Sequence, residues 1–223
     1  MSVVGTGMGT RIGFGAICGL AWAAALREYM SEISGAASTV AWGGTFVGVL
    51  LPGVIVGGAL GAASVLRPEG RGRVGLRWCA AAPLAFAVIP MLLPGLLWAL
   101  LTTGLGGGAV GVALGGLAGG YALGGRRRWA RIATGTVAVA VVLGVAASVP
   151  GIGGAPLAIT TPRGAWVTLL AASLMVVYAV ACAIPVRRLN SGRSDASAPG
   201  AATRAPVASQ SRVDPASAEH SSP

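Results

Sequence analysis

The chain has 223 residues, of which 54% are hydrophobic and only 10% are charged, and its mean hydropathy is +0.77. Soluble domains carry about 25% charged residues, so this composition excludes an ordinary soluble domain. The formal net charge is +10 and every basic residue is an arginine. Because the arginines lie in short clusters between apolar segments, they indicate membrane topology rather than nucleic-acid binding.

Six apolar segments follow one another along the chain, and crossing the hydrocarbon core takes about 20 such residues. The run from Trp78 to Gly125 has no ionisable side chain except Cys79 and Tyr121, so it fits two crossings with a turn near residues 102–106. Pro83, Pro90 and Pro94 predict kinks in the first of these two. The sequence therefore predicts an all-α, polytopic transmembrane bundle with helices at residues 11–26, 40–66, 78–101, 107–125, 132–149 and 165–186.

The arginines predict the orientation of this bundle. Six crossings place both termini on one side, and only Arg27 and Arg163 fall on the other. The positive-inside rule then predicts an N-in/C-in protein of the cytoplasmic membrane. Tryptophan agrees, with Trp78 and Trp129 at inner helix ends and Trp42, Trp98 and Trp166 at outer ends, while Trp22 falls in the outer half of the first helix. The inner arginines are Arg11, Arg67, Arg71, Arg73, Arg77, Arg126, Arg127, Arg128, Arg131, Arg187, Arg188, Arg193, Arg204 and Arg212.

Two parts of the chain allow another interpretation or lie outside the bundle. The stretch ending at Ala23–Ala25 resembles a signal-peptide cleavage region, and its removal would leave five crossings with the same tail. The nearly uncharged start of the chain and the deep position of Arg11 argue against cleavage. Residues 189–223 are rich in Ser, Ala and Pro and predict a disordered cytoplasmic tail.

Glycine recurs every fourth residue in two segments, at Gly53, Gly57 and Gly61, and at Gly107, Gly111, Gly115 and Gly119. This spacing places the glycines on one helix face, where helix backbones can approach closely. The faces could serve dimerisation, line a narrow pore or pack within the chain. Because one chain carries two of them, we expect these two helices to pack on each other.

A candidate polar cluster lies in the first outer loop and at the start of the second helix. Its carboxylates are the only ones outside the cytoplasmic loops and tail. The cluster could form a proton or cation site or contact a partner, but a solvated helix end is the expected role. Its members are Arg27, Glu28, Tyr29, Glu32, Trp42 and Thr45.

The rest of the sequence offers few groups for chemistry. Residues 1–188 contain no His and no Asp, so the parts of an intramembrane protease are missing, and we expect no metal or cofactor. Cys18, Cys79 and Cys182 predict small apolar core residues. The clusters Arg67, Arg71, Arg73 and Arg77, and Arg126, Arg127, Arg128 and Arg131, are expected to contact anionic lipid headgroups.

The motifs Gly19-Leu20-Ala21-Trp22, Arg27-Glu28-Tyr29-Met30 and Trp42-Gly43-Gly44-Thr45-Phe46 occur in this order in the first fifth of the chain. This hairpin resembles that of an uncharacterised group of actinobacterial multi-pass membrane proteins. The resemblance implies a multi-pass membrane fold and no particular activity.

These features predict a non-enzymatic membrane protein, a scaffold or accessory subunit that packs through glycine-rich helix faces. The alternative is a passive or weakly coupled permease for a small solute, with a path along the kinked third and glycine-rich fourth helices. An enzyme acting on lipid-linked substrates would require Arg27, Glu28 and Glu32 to converge on a pocket.

Overall fold

The computed structural model describes residues 4–92 and 105–195, and within these ranges the secondary structure is helical, with no strand. Short 3₁₀ segments lie at Gly35–Ala37, Ala82–Leu84 and Ala155–Leu157, and a π-helical segment, Trp42–Leu50, leads directly into the second helix. The α-helices of the described ranges are α1 Val4–Ser34, α2 Leu51–Ala63, α3 Gly70–Ala81, α4 Ala85–Leu92, α5 Leu105–Gly124, α6 Arg128–Gly153 and α7 Pro162–Asp195.

Five stretches of the described chain are helical, long enough and apolar enough to cross a membrane. They are Gly7–Ser34, Trp42–Ala63, Gly70–Leu92, Arg128–Gly153 and Pro162–Ser191. The remaining predicted segment, residues 107–125, corresponds to α5, of which Gly108–Gly124 forms a shorter apolar helix. The all-helical class predicted from the sequence is thus confirmed for the described residues.

Proline shapes two of these stretches. The 3₁₀ segment Ala82–Leu84 surrounds Pro83 and separates α3 from α4, so the regular helix is interrupted at a position where a kink was predicted, and Pro90 lies inside α4. Pro94 lies outside the described residues. Pro52 lies in the first turn of α2, which follows the π-helical segment directly. Because proline has no N–H and crowds the carbonyl four residues earlier, the wider π turns accommodate it without breaking the helix.

Several helix ends differ from the prediction. The first helix extends beyond residues 11–26 at both ends, and α3 begins at Gly70, so Arg71, Arg73 and Arg77 are helical. The last helix continues through Asp195, and residues 189–195 of the predicted tail are therefore helical. The rest of the tail, Trp98 and residues 102–104 of the predicted turn lie outside the described residues. Apolar composition predicts only the part of a helix that lies in the hydrocarbon core. Backbone hydrogen bonding can continue the helix beyond that part.

The predicted contact between the two glycine faces is wrong. Gly53, Gly57 and Gly61 pack against α1, where Cβ atoms built on Gly53 and Gly57 would overlap Ala23 and the carbonyl oxygen of Gly15. The Gly61 Cβ would overlap the carbonyl oxygen of Arg11. The two helices run antiparallel with glycines on both sides, since Gly15 and Gly19 also lie at the contact. Short connections favour pairing of chain neighbours, so α2 meets α1 first.

The second glycine face packs on α7. A Cβ on Gly119 would meet the side chain of Ala179, and one on Gly120 would lie 2.7 Å from the carbonyl oxygen of Cys182. Gly115 faces Val141 of α6 and Met175 of α7. Gly111 has open space where its Cβ would be, and the surroundings of Gly107 lie outside the described part of the chain. Glycines predicted to form one continuous face thus belong to different environments.

An aromatic layer of three rings joins α1, α4 and α7. Trp22 stacks on Tyr178 with 4.5 Å between ring centroids and meets the edge of Phe86 at 5.5 Å. Phe86 and Tyr178 form a third contact at 5.9 Å. The indole Nε1 of Trp22 also donates a hydrogen bond to the carbonyl oxygen of Leu174, at 2.9 Å. Trp22, which the sequence predicted in the outer half of the first helix, is therefore a half-buried residue packed against the core.

Contacts between helix termini define two ends of the bundle. At one end, the arginine-rich end, Arg188 donates to the carbonyl of Ser64 and Asn190 donates to that of Gly124 at 2.7 Å. At the other, the Glu32 end, Arg163 pairs with Glu32 at 2.8 Å. Arg11 lies at the arginine-rich end because its backbone contacts Gly61, one turn from Ser64.

Candidate functional site

The predicted outer-loop cluster divides into separate contacts. Arg27 lies between α1 and the chain that follows it, donating to Ser38 Oγ at 3.1 Å, to the carbonyl of Thr39 at 2.7 Å and to Thr45 Oγ1 at 3.4 Å. Glu32 binds Arg163 of α7 through both Nε and Nη2. The positive and negative members of the cluster are therefore paired with different elements.

Tyr29 is buried and its hydroxyl lies 3.0 Å from Ser148 Oγ of α6, within hydrogen-bonding distance of the Val145 carbonyl as well. Glu28 is exposed and contacts Ser31. Trp42 is also exposed and stacks on Phe46. These side chains tie the Glu32 end together, and they do not converge on either cavity described below.

The Glu32–Arg163 ion pair is open to solvent. Its arginine side chain is 66% exposed and its carboxylate 29% exposed. Pairs of this kind contribute at most about 1 kcal/mol, because solvent screens them and ordering two long side chains costs entropy. The pair joins α1 to α7 and occupies the Glu32 carboxylate.

One of the arginine clusters predicted to contact lipid borders a cavity at the arginine-rich end. This surface cavity of about 320 Å³ lies where α5 is followed by α6, and Arg128, Arg131 and Ile132 line it. Arg131 donates through Nε to the carbonyl of Ala122 at 2.9 Å, which holds its guanidinium against α5. Arg126, Arg127 and Arg128 are exposed beside it.

A second cavity of about 310 Å³, the α1–α7 groove, was not anticipated by the sequence analysis. It opens between α1, α2 and α7, with Arg11 and Ser64 at the arginine-rich end and the aromatic layer of Trp22, Phe86 and Tyr178 lining its deep end. Between them its walls are small or apolar. The wall residues are Phe14, Gly15, Cys18, Gly19, Gly53, Val56, Gly57, Leu60, Gly61, Val177, Ala181 and Ile184.

The sequence patterns predict other roles for the residues of the groove. Arg11 counted as a topology residue, and Cys18 was predicted to be a core residue, which is wrong because its side chain is exposed. The spacing of Arg11, Phe14, Cys18 and Trp22, three or four residues apart, places them on one face of α1 and could have identified the wall. The opposite wall comes from α7, which sequence periodicity alone does not bring near α1.

The described helices and the apolar groove have the architecture of a multi-helix membrane protein, with five helices that could cross a bilayer. Comparisons with family models, curated proteins and solved structures each gave no match. The likeness of the first hairpin to actinobacterial membrane proteins therefore stays a prediction.

Proposed function

We propose that this chain is a non-enzymatic scaffold or accessory subunit of the cytoplasmic membrane, crossing it six times with both termini inside. The supporting observation is close packing among the described helices, in which glycine contacts join α1 to α2 and α5 to α7 and the aromatic layer joins α1, α4 and α7. A solute path along the kinked third crossing would have to displace Phe86, which is 4% exposed.

The six-pass arrangement is supported by the grouping of the termini. The contacts of Arg188 with Ser64 and of Asn190 with Gly124 gather the ends of α2, α5 and α7 at the arginine-rich end. Tyr29, Ser148 and Arg163 lie at the opposite end. With the arginine-rich end in the cytoplasm, α1 to α7 cross alternately, counting α3 and α4 as one crossing.

The partner surface in this proposal is the outward face of α6. Val149 is the buried residue of this helix, while Leu143 is 63% exposed. Thr136, Ala140 and Gly144 recur at four-residue intervals on the exposed side, and Gly144 has open space beyond its Cα. Small residues at this spacing let a second membrane helix approach closely. The glycines of α2 are already covered by α1 and are not free to bind a partner.

We expect Gly144→Leu to remove a co-purifying membrane partner while the chain itself stays folded, because the new side chain projects from the bundle and blocks close helix approach. Native mass spectrometry of the complex extracted from its own membranes measures this as loss of a stoichiometric partner mass. The matched control is Gly13→Leu, which adds the same side chain at another exposed glycine with open surroundings.

The permease alternative is tested with the same purified protein in liposomes. A scaffold leaves the flux of small solutes at the level of protein-free vesicles. Absence of any stoichiometric partner together with protein-dependent solute flux would contradict the scaffold proposal.

A further inference from the structure

We infer that the α1–α7 groove holds one acyl chain of an anionic phospholipid from the cytoplasmic leaflet, with the phosphate at Arg11. The groove offers an apolar channel with a cationic entrance, since Arg11 lies at one end and Cys18, Ala181 and the aromatic layer follow. This inference takes its leaflet from the orientation in the proposed function, but the groove itself does not depend on a partner.

The length of the groove selects a lipid chain over a partner helix. From Arg11 to Trp22 along α1 is about 16 Å at 1.5 Å per residue. One leaflet contributes about half of the 30 Å hydrocarbon core, or roughly 15 Å. A partner helix would have to continue past Trp22 across the second leaflet, whereas a chain anchored at Arg11 reaches the level of the aromatic layer and stops.

The entrance of the groove is positively charged. Arg188 donates to the carbonyl of Ser64, which lines the groove, so a second guanidinium lies at the same end as Arg11. Among the described residues the ion pair is Glu32 with Arg163 at the far end, and no carboxylate pairs with Arg11. Guanidinium groups bind phosphate oxygens through several donors at once, so an anionic headgroup compensates this charge.

The groove walls suit a flexible chain that needs no hydrogen bonds. Gly15, Gly19, Val56 and Ala181 are among the lining residues, and none of their side chains carries a polar group. The backbone groups of these residues are already bonded within their helices. A saturated or monounsaturated chain fills such a space through dispersion contacts alone.

The test uses Cys18, an exposed thiol on the groove wall, while Cys79 and Cys182 are buried. Delipidated protein in detergent is mixed with phosphatidylglycerol or with phosphatidylcholine carrying the same chains, and the rate of maleimide alkylation at Cys18 is measured by peptide mass. We expect phosphatidylglycerol to slow alkylation at concentrations where phosphatidylcholine does not.

Arg11→Gln is expected to raise the phosphatidylglycerol concentration needed for half-protection about fivefold, the loss for one surface charge. Arg163→Gln removes the same charge from an exposed side chain at the opposite end of the bundle and should leave this concentration unchanged. Ala181→Phe, which fills the groove, should abolish the lipid effect, with the melting temperature as the check on folding. If that variant does not fold, the phosphatidylglycerol concentration that half-protects Cys18 in Arg11→Gln still tests whether the lipid binds at Arg11.

The inference would be overturned if phosphatidylglycerol and phosphatidylcholine protected Cys18 from alkylation equally. It would also be overturned if Arg11→Gln left the phosphatidylglycerol concentration for half-protection unchanged. Because these outcomes are read at Cys18 in isolated protein, they leave the scaffold proposal intact. A missing partner in the Gly144 experiment would likewise leave the groove inference standing.

Discussion

Adding one methyl group at Gly57 is expected to lower the free energy of unfolding by about 1–3 kcal/mol, the range for overpacking a close contact. The new Cβ would overlap the carbonyl oxygen of Gly15 and press on the backbone of Gly19. Backbone cannot move aside as a side chain can, so α1 and α2 must separate. The measurement is the thermal unfolding of Gly57→Ala in detergent, followed by near-ultraviolet circular dichroism.

The adjacent glycine provides a matched control. A Cβ on Gly58 has its nearest neighbour, Ile12 Cγ2, at 3.7 Å, an ordinary van der Waals distance. Gly58→Ala should therefore not destabilise the protein, and we expect a gain in the free energy of unfolding of up to about 1 kcal/mol from the better helix propensity of alanine. Equal melting temperatures for the two variants would show that α1 and α2 are not in backbone contact.

Removing the indole of Trp22 is expected to cost about 3 kcal/mol, at the lower end of the range for Trp→Ala in a core because this side chain is half-buried. The substitution removes the stack on Tyr178, the edge contact with Phe86 and the hydrogen bond to Leu174. The same unfolding measurement on Trp22→Ala reports the loss.

Two further variants separate the effect of the buried ring contacts on stability from the effects of losing the N–H donor or of removing any indole. Trp22→Phe keeps an aromatic ring but loses the N–H donor, and should cost about 1 kcal/mol. Trp129→Ala removes an indole that is 85% exposed and should have little effect on unfolding. A Trp22→Ala protein as stable as Trp129→Ala would contradict the packed aromatic layer.

Composition and spacing predicted the helical class and most of the apolar stretches, because hydrocarbon depth selects for length and apolarity. Pro83 predicted the break between α3 and α4 for a local steric reason. The four-residue glycine spacing correctly indicated close packing. It could not choose the partners, because Gly57 packs equally well on any helix that offers a small surface.

The polar contacts were beyond the reach of local patterns. Glu32 binds Arg163 across 131 positions of sequence, and Tyr29 reaches Ser148 across 119. Such pairs depend on how the helices are arranged, which the charges of the loops do not specify. The α1–α7 groove was missed for the same reason, since one wall comes from each end of the chain.

The orientation of the bundle is tested most directly by cysteine labelling with a membrane-impermeant maleimide on intact cells. In a Cys18→Ser background, single probes are introduced as Ala36→Cys, Thr160→Cys or Glu69→Cys, three exposed positions. The account predicts labelling at positions 36 and 160, and labelling at 69 only after the membrane is opened. A probe at position 69 that reacts in intact cells, with 36 protected, would contradict it.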